Sequence, residues 1–466
     1  MNSPAFFVSS DKENFQIADW FMRLLSARMV KGITLPFTIF YHQKTNACYS
    51  PREGIKITIP VRPGTYQEYE RAFDRILNKD WVVKGINGYD LNIDLIRFAA
   101  WILNREEERA LTGDPYTLDV HGRFRLEKTV AYRKGCWKKP VLDHALSFLI
   151  SIIEADSGVR LINREPWKER KSKAAWLTHD VDKLMGRYAL PLRVAGWVAF
   201  AIKSIAQRKW KEGSIWMKKC RYWVGMRGDP IFESIGGILH EESRIKARST
   251  FFFMALKHGV SLHEGIRYPA HHPLVSQSIQ QITENMCSIG LHPGTFKAFD
   301  NIHLTRQKKL LESITGKKVS TVRNHYLKIR FPETWRLQET AGFKISTNMG
   351  WHSPDNGFRA GTCWPFQPFD LDRDRAFQLL EVPLVYMDNI RIDTTEIFDQ
   401  VISLAHEVSS VYGLLVLNFH SDMCDETGLS HKGRAYIDVL RLLKEDQWHF
   451  LSNSELEDQY NILITK

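Results

Sequence analysis

Residues 176–182 read Trp-Leu-Thr-His-Asp-Val-Asp, an apolar run that ends abruptly in two carboxylates. Asp180 and Asp182 are two positions apart, so in a strand they point the same way, about 6–7 Å apart along the chain. Two acids at the carboxyl end of a buried strand are costly unless a cation or a proton is shared between them. The stretch predicts either a polar cleft at the end of a parallel strand or a solvated turn that caps the next helix.

The same arrangement recurs farther along the chain. Apolar runs precede His292 and His420, and a shorter one precedes Arg323 and His325, which are themselves two positions apart. A neutral imidazole is a good ligand for zinc or a similar divalent ion. A lone histidine at a strand end is more often structural, so each segment is weak by itself. Together they predict strand tips that meet at one face, where barrel enzymes place their chemistry.

The alternation of strand-like and helical segments predicts the fold class. After a charged stretch at 163–173, β/α units built on a parallel sheet are indicated. The expected strands cover residues 174–178, 250–254, 288–291 and 414–419. The earlier part mixes an alternating strand at 54–60 with a helical pattern over 89–109. We therefore predict an α/β chain, with an α+β accessory domain over 1–165 and a (β/α) domain over 174–460.

Composition narrows the class of protein further. The 466 residues are 44% hydrophobic and 25% charged, as in an ordinary globular protein, with a net charge of +11. Six scattered cysteines without a CxxC pair argue against a zinc ribbon or a disulfide scaffold and favour a reducing compartment. The first residues include acids where a signal peptide would need basic ones, and no run reaches the ~20 apolar residues of a spanning helix. We expect a cytoplasmic protein, with peripheral membrane contact as a further expectation.

A basic helical insertion is predicted at about 185–235. From Lys203 to Arg227 it carries eight lysines and arginines against one acid, with Trp210, Trp216 and Trp223 interleaved. Such a segment can lie on an anionic membrane surface or bind another polyanion. It can also be a helical hairpin that packs its tryptophans onto the domain, and the sequence leaves these three interpretations open. Nucleic acid is not the partner we expect.

The order of the motifs resembles that of the NodB-homology polysaccharide deacetylases, whose catalytic domain is a deformed (β/α) barrel. The resemblance covers about residues 174–455. Residues 178–182 are similar to the first motif of that family and 249–253 to its Thr-Phe-Phe strand. Residues 357–362 and 381–384 resemble a bacterial subgroup with an additional N-terminal module, and 118–124 look like part of that module.

The resemblance implies a role for each matching residue. Asp180 would be the catalytic base and Asp182 a metal ligand. His292 would be a second ligand, Arg323 would orient the catalytic aspartate, and His420 would act as general acid toward the leaving amine. The cofactor implied is a divalent metal, with zinc preferred.

Two departures from the family pattern bear on the site. The second metal histidine of the family corresponds to Phe296, which cannot bind a metal. His325 is our candidate for the missing ligand, ahead of His179 and His420. The aspartate of the fourth motif corresponds to Ser346, which weakens support around the ligands.

The sequence thus predicts a metal-dependent hydrolase of an amide C–N bond that deacetylates an N-acetylated glycan or its precursor. The alternatives are a carbohydrate-binding pseudoenzyme that keeps the barrel, and a basic protein of a membrane surface or polyanion. Tyr326, Trp351 and Trp364 could stack on a sugar ring, although core packing is the commoner role of such aromatics.

Overall fold

The computed structural model describes most of the chain. The described residues are 8–33, 35–42, 54–85, 87–111, 113–119, 121–225, 228–261, 264–294, 297–352, 355–388, 394–425 and 428–464. Phe296 and Arg227 lie outside them.

The first part of the chain forms a five-stranded sheet with helices. Its strands are β1 (Val8–Ser10), β2 (Phe37–His42), β3 (Ile55–Pro60), β4 (Val82–Lys84) and β5 (Gly88–Leu91). Its helices are α1 (Phe15–Ser26), α2 (Tyr66–Asn78), α3 (Leu95–Leu103), α4 (Glu106–Leu111), α5 (Val130–Arg133) and α6 (Val141–Ser157). The strand order is β1-β2-β3-β5-β4, in which only β4 runs antiparallel to its neighbour.

The helix expected over 89–109 is divided. Tyr89 belongs to β5, and α3 begins only after Asp94, whose carboxylate accepts a hydrogen bond from the backbone N–H of Arg97. This is an N-cap, which satisfies a donor that the first helical turn leaves free. Arg105, with a φ of 56°, separates α3 from α4. The apolar periodicity therefore correctly predicted α3, but the predicted helix was too long at both ends.

The second part of the chain contains β6 to β20 and α7 to α15. The strands are β6 (Ala174–Val181), β7 (Thr250–Phe253), β8 (Val260–Ser261), β9 (Gly265–Ile266), β10 (Ser288–Leu291), β11 (Thr321–Val322), β12 (Ile345–Ser346), β13 (Phe369–Asp370), β14 (Arg375–Ala376), β15 (Leu380–Glu381), β16 (Tyr386–Met387), β17 (Leu414–Asn418), β18 (Cys424–Asp425), β19 (Gly428–Leu429) and β20 (His449–Phe450). The helices are α7 (Leu190–Ala206), α8 (Trp210–Gly225), α9 (Pro230–Arg244), α10 (Pro273–Glu284), α11 (Asn301–Thr315), α12 (Glu333–Thr340), α13 (Thr394–Ser410), α14 (His431–Glu445) and α15 (Asn453–Ile464).

Nine of these strands form one parallel sheet in the order β15-β12-β11-β10-β7-β6-β17-β16, with β20 also paired to β6. The sheet is curled, as in the deformed (β/α) barrel that was expected. Every residue of β6, β7 and β17 is buried, which is usual for parallel strands covered on both faces. Because the strands are parallel, their carboxyl ends share one edge, and the predicted site residues lie at those ends or just after them.

A close approach between neighbouring strands depends on Gly290 in β10. A Cβ built at this position would lie 2.6 Å from the ring of Phe252 in β7. That ring in turn lies under the guanidinium of Arg323, 4.5 Å from its centroid. The glycine therefore lets Phe252 support the arginine beside the strand ends.

The first part of the chain is joined to the second through buried polar contacts. Arg28 donates to the carboxylate of Asp143, which also accepts from the backbone N–H of Cys363. Arg359 donates from Nε and Nη2 to the two carboxylate oxygens of Glu108. Buried ion pairs of this kind fix how the two parts of the chain are oriented, because separating them would leave a buried charge without its partner. They hold the segment that follows β12 against helices α4 and α6 of the first part of the chain.

Helices α7 and α8 form a helical hairpin, which we call the basic hairpin. Trp223 is buried, and a Cβ at Gly186 would lie 2.1 Å from its ring, so the base of the hairpin packs tightly after β6. Trp216 stacks on Phe200 at 5.3 Å, whereas Trp210 is 65% exposed. Packing of tryptophans therefore accounts for two of the three. Among the described residues, no helix has the length and apolar character needed to cross a membrane.

Candidate metal centre and active site

Asp182, His292 and His325 converge at the carboxyl edge of the parallel sheet. His292 Nε2 lies 3.2 Å from Asp182 Oδ1, and His325 Nε2 lies 3.3 Å from Asp182 Oδ2. One ligand atom from each residue lies within 4.8 Å of the other two. Both histidines are buried, and Asp182 is only partly exposed. A carboxylate and two imidazoles at this spacing can hold one divalent cation.

The outer nitrogens of the two histidines fix which nitrogen faces the centre. His292 Nδ1 lies 2.7 Å from the carbonyl oxygen of Arg323, which can only accept, so Nδ1 carries the proton. His325 Nδ1 lies 2.8 Å from Glu264 Oε2 and donates in the same way. The Nε2 of His292 then faces Asp182, and the Nε2 of His325 lies between Asp182 and Arg267 Nη2, which is 3.3 Å away. Such outer hydrogen bonds orient metal-binding histidines and increase their basicity.

A metal ion fits this set of donors. Asp182 Oδ1 is buried and makes no hydrogen bond to any described residue, although a buried carboxylate oxygen ordinarily has a partner. Burial by itself would raise the pKa of Asp182, but His325, His292 and Arg267 hold it well below its ordinary value. The carboxylate is therefore ionised, and each of its two oxygens faces the Nε2 of one histidine.

Asp180 lies beside the three predicted ligands and is held by a different set of groups. Arg323 Nη1 donates to its Oδ1 at 3.1 Å, and Asn418 Nδ2 donates to its Oδ2 at 2.9 Å. Oδ2 is 4.0 Å from His292 Nε2. Burial opposes ionisation of Asp180, but His292 and Arg323 lower its pKa below the usual value. An ionised, fixed carboxylate next to a metal site can accept a proton.

Arg323 is completely buried and oriented mainly by uncharged oxygens. It donates to Thr178 Oγ1, to Asn418 Oδ1 and to the carbonyl and hydroxyl oxygens of Thr347. Among the described residues, Asp180 is the one carboxylate that forms an ion pair with Arg323. Ser346 Oγ accepts a hydrogen bond from Asn348 Nδ2 at 2.8 Å. Arg323 therefore directs its charge at Asp180.

His420 approaches the centre from the end of β17. Its Nδ1 contacts Asp388 Oδ1 at 2.5 Å, and Asp388 is also paired with Lys432 at 3.4 Å. Burial would lower the pKa of His420, but the charge of Asp388, helped by Asp182 and Asp180, raises it to about 9. His420 is partly exposed and protonated at neutral pH. It can therefore donate a proton to a group bound in front of the sheet.

The structure places the remaining candidates away from the centre. His179 points to the other face of β6, where its Nε2 lies 2.8 Å from Glu242. Trp364 is buried against Trp167 and donates to a backbone carbonyl, as expected of a core aromatic. Tyr326, by contrast, stacks on His325 with ring centroids 3.9 Å apart.

Three residues of the site were missed from the sequence. Asp388 follows the apolar run of β16, so the rule that found His292 and His420 would also have found it. Glu264 and Arg267 flank the short strand β9, and Arg267 lies 3.8 Å from Asp182. No local pattern marks them, because a long connection after β7 brings them to the centre.

Comparison with known proteins gives a likeness in fold. The sequence matches no family model and no curated protein. A protein assigned as a polysaccharide deacetylase from Mycobacterium smegmatis is 16% identical, with 64% of this chain and 92% of that chain covered and a TM-score of 0.43. The peptidoglycan deacetylase PdaC from Bacillus subtilis is 12% identical, with 61% and 90% covered and a TM-score of 0.31.

A third similar structure belongs to a protein from Bordetella bronchiseptica, assigned as a polysaccharide deacetylase involved in O-antigen biosynthesis. It is 15% identical, with 61% of this chain and 83% of that chain covered and a TM-score of 0.25. All three identities are below 25% and all three TM-scores below 0.5. The positions of the side chains, and not these alignments, therefore support the function proposed below.

Proposed function

We propose that the chain is a metal-dependent hydrolase of an amide C–N bond that removes acetyl groups from an N-acetylated glycan. The observation that supports this most directly is the meeting of three potential ligands with a fixed carboxylate and a protonated histidine. Asp182, His292 and His325 would hold the cation, with zinc preferred by a set of two imidazoles and one carboxylate. A divalent ion at this position would polarise an amide carbonyl and acidify a water molecule.

The roles of the protein groups follow from their contacts. Asp180 would accept the proton of the attacking water, because it is ionised and has no proton of its own to give. Arg323 would keep Asp180 ionised and fix its orientation, since its Nη1 donates a hydrogen bond to Asp180 Oδ1 at 3.1 Å. His420 would then protonate the departing sugar amine, because Asp388 keeps it charged and its ring is partly exposed. General acid–base catalysis of this kind contributes about 10²–10⁴-fold in rate.

The test is acetate release from a panel of N-acetylated glycans, with and without a chelator. We expect the wild-type protein to release acetate, the chelator to stop the release, and Asp180→Asn to lower the rate about 10²–10⁴-fold while bound metal is retained. Asp458→Asn is the matched control, because Asp458 is exposed on α15. A protein that binds glycan but holds no stoichiometric metal and releases no acetate would instead be the carbohydrate-binding pseudoenzyme.

We further propose that the basic hairpin rests on an anionic lipid surface. Eight large apolar side chains of α7 and α8 are exposed: Leu192, Phe200, Ile202, Ile205, Trp210, Ile215, Met217 and Val224. Seven described lysines and arginines accompany them between residues 203 and 221, against Glu212 alone. Apolar groups and cations on one exposed helical pair are what an interfacial anchor requires. A cytoplasmic location stays a prediction.

Co-sedimentation with lipid vesicles tests this second proposal. We expect binding to phosphatidylglycerol vesicles that weakens with salt, and little binding to phosphatidylcholine. Replacing Lys203, Lys211 and Lys218 with glutamine should weaken it, by about 1 kcal/mol for each charge lost. The matched control replaces the exposed Lys79, Lys246 and Lys444. Equal loss in both triple variants, or self-association through the hairpin in place of vesicle binding, would contradict the proposal.

A further inference from the structure

A cavity of about 440 Å³ in the first part of the chain is lined by helices α2 and α3 and by the segments that precede them. We call it the arginine cavity. Residues 62–65 follow β3 and residues 92–94 follow β5, the neighbouring parallel strand, so the cavity lies at the carboxyl ends of two strands. Ligands of α/β sheets usually bind in the crevice outside these ends. The volume suits a small molecule, and no residue of the candidate metal centre lines it.

Four arginines line the arginine cavity. Arg71 and Arg75 lie four positions apart on one side of α2, Arg97 lies in the first turn of α3, and Arg62 follows β3. The first two and Arg62 are exposed, and Arg97 is partly exposed, so all four can meet a ligand that enters from solvent. The cavity is therefore more basic than its surroundings require, unless acids in its walls neutralise it.

The acids in the walls neutralise only two of the four arginines. Arg71 is paired with Glu68 at 2.8 Å, and Arg97 is paired with Asp94 at 3.7 Å. The third acid, Glu106, is paired at 3.4 Å with an arginine that does not line the cavity.

Arg62 and Arg75 are the two cations that remain. Arg62 Nη2 donates to the backbone carbonyl of Asn92 at 3.3 Å, and neither arginine forms an ion pair with a carboxylate among the described residues. Two guanidinium groups without a counter-charge favour an anion with about two negative charges. A phosphate ester carries about −1.5 to −2 at pH 7, and its oxygens match the fork of guanidinium donors. Both α2 and α3 also begin at the cavity, and the N-terminus of a helix favours an anion.

Another wall of the arginine cavity is aromatic. Trp101 lines the cavity and is partly exposed, and it lies four positions after Arg97, on the same side of α3. Its ring is held edge-on by the buried ring of Tyr69 at 4.7 Å and by Tyr66 at 5.9 Å. A fixed indole beside cations can pack against a flat ring of a ligand. Inorganic phosphate alone would leave this wall unused.

We propose that the arginine cavity binds a small organic phosphate. A phosphate or diphosphate group pairs with Arg62 and Arg75, and a flat ring attached to it packs against Trp101. A nucleoside diphosphate has this chemistry. The first part of the chain then has a ligand of its own, and this proposal does not depend on the proposed deacetylase function, because the two sites share no residue.

The test is calorimetry of the full chain with four probes: adenosine diphosphate, uridine diphosphate, pyrophosphate and adenosine. A chelator is present, so that no metal ion can bridge a phosphate to the candidate metal centre. We expect a nucleoside diphosphate to bind, pyrophosphate to bind more weakly and adenosine to bind weakest, with affinities for the anions that fall as salt is added. Arg62→Gln and Arg75→Gln should each weaken binding of the nucleoside diphosphate about tenfold, because each removes a charge-assisted hydrogen bond.

Arg306→Gln is the matched control. Arg306 is exposed on α11, forms no ion pair with a carboxylate among the described residues and does not line the cavity. Its replacement should leave the affinity unchanged. Equal losses in Arg75→Gln and Arg306→Gln would show a non-specific attraction of anions to a basic protein and would overturn the proposal. No binding of any of the four probes by the wild-type chain would overturn it as well.

Trp101→Leu separates the role of the ring from that of the phosphate. We expect this variant to bind the nucleoside diphosphate about tenfold more weakly and to bind pyrophosphate as the wild type does, since base–aromatic stacking contributes about 1–3 kcal/mol. Unchanged binding of pyrophosphate also shows that the cavity is still folded. If pyrophosphate bound to the wild type as tightly as both nucleoside diphosphates, the cavity would be a site for an inorganic anion and the organic ligand would be excluded.

Discussion

Two aspartates that follow strands, one in each sheet, have opposite surroundings. Asp94 follows β5 and accepts hydrogen bonds from Tyr41 Oη, from the backbone N–H of Arg62 and from that of Arg97. Asp182 follows β6 and faces two imidazole nitrogens, with its Oδ1 unpaired among the described residues. Burial raises the pKa of Asp94, whereas the histidines and Arg267 hold that of Asp182 well below its ordinary value despite burial.

The comparison separates a structural carboxylate from a candidate ligand. Asp94 is satisfied mainly by neutral donors that belong to the fold, so it stabilises the start of α3 and the tip of β2. Asp182 has an oxygen that the fold leaves unsatisfied, among groups that favour its ionised form. Position at the end of a strand is therefore not enough to identify a ligand. The hydrogen-bond partners of the carboxylate oxygens distinguish a structural aspartate from a candidate metal ligand.

The largest effect is expected for Asp182→Ala. Losing one of three ligands should remove the metal and lower the rate of acetate release by about a thousandfold or more, equivalent to about 4 kcal/mol of transition-state stabilisation. Elemental analysis should find a stoichiometric divalent ion in the wild-type protein and little in the variant. Asp458→Asn serves again as control. A variant that keeps both the metal and the activity would show that Asp182 is not a ligand.

A smaller loss is expected for Glu264→Gln. The glutamine is nearly the same size, but it replaces a charged acceptor of the His325 Nδ1 proton with a neutral one. Loss of such an outer partner typically costs 10–100-fold in metal affinity. Competition with a chelating dye measures that affinity. Glu445→Gln, at an exposed position of α14, is the control, and equal affinities of the two variants would contradict the role of Glu264.

The pH dependence of activity should move in Asp388→Asn. His420 must be protonated to act as an acid, so activity is lost as the pH rises through its pKa, which Asp388 helps to raise to about 9. Removing the charge of Asp388 lowers that pKa, and the basic limb of the profile should move to lower pH. Rates of acetate release between pH 6 and 10 measure the shift. Asp399→Asn, at an exposed position, should leave the profile unchanged.

The sequence was sufficient for the parallel sheet and for the strand ends at which polar residues gather. Apolar runs that end in Asp182, His292 and His420 predicted their shared edge, because parallel strands end on one side. His325 was predicted from strand alternation, but β11 ends at Val322, and a short turn carries His325 to the centre instead. Glu264 lies on a connection that carries no periodic pattern. Its position depends on long-range packing, which no local rule describes.

The same limit applies to the contact between the first part of the chain and Tyr326. Residues 118–124 were noted only for their resemblance to an N-terminal module. Their contact with Tyr326 joins positions about two hundred residues apart, as the stacking of His121 on that ring shows. Periodicity describes which side of a helix or strand is buried. It does not describe which loop of one sheet meets which loop of another.

The smallest effect on the metal site is expected for Asp94→Ala, which completes the comparison. The change leaves the Tyr41 hydroxyl and the N–H groups of Arg62 and Arg97 without their acceptor, which should lower the free energy of unfolding by about 1–3 kcal/mol. Added zinc should still raise Tm in this variant as in the wild type, since a ligand stabilises whichever fold retains its site. In Asp182→Ala zinc should raise Tm little. Asp80→Ala, at an exposed position, controls for the loss of a carboxylate. If zinc stabilised the wild-type, Asp94→Ala and Asp182→Ala proteins equally, the unpaired oxygen of Asp182 would not mark a metal site.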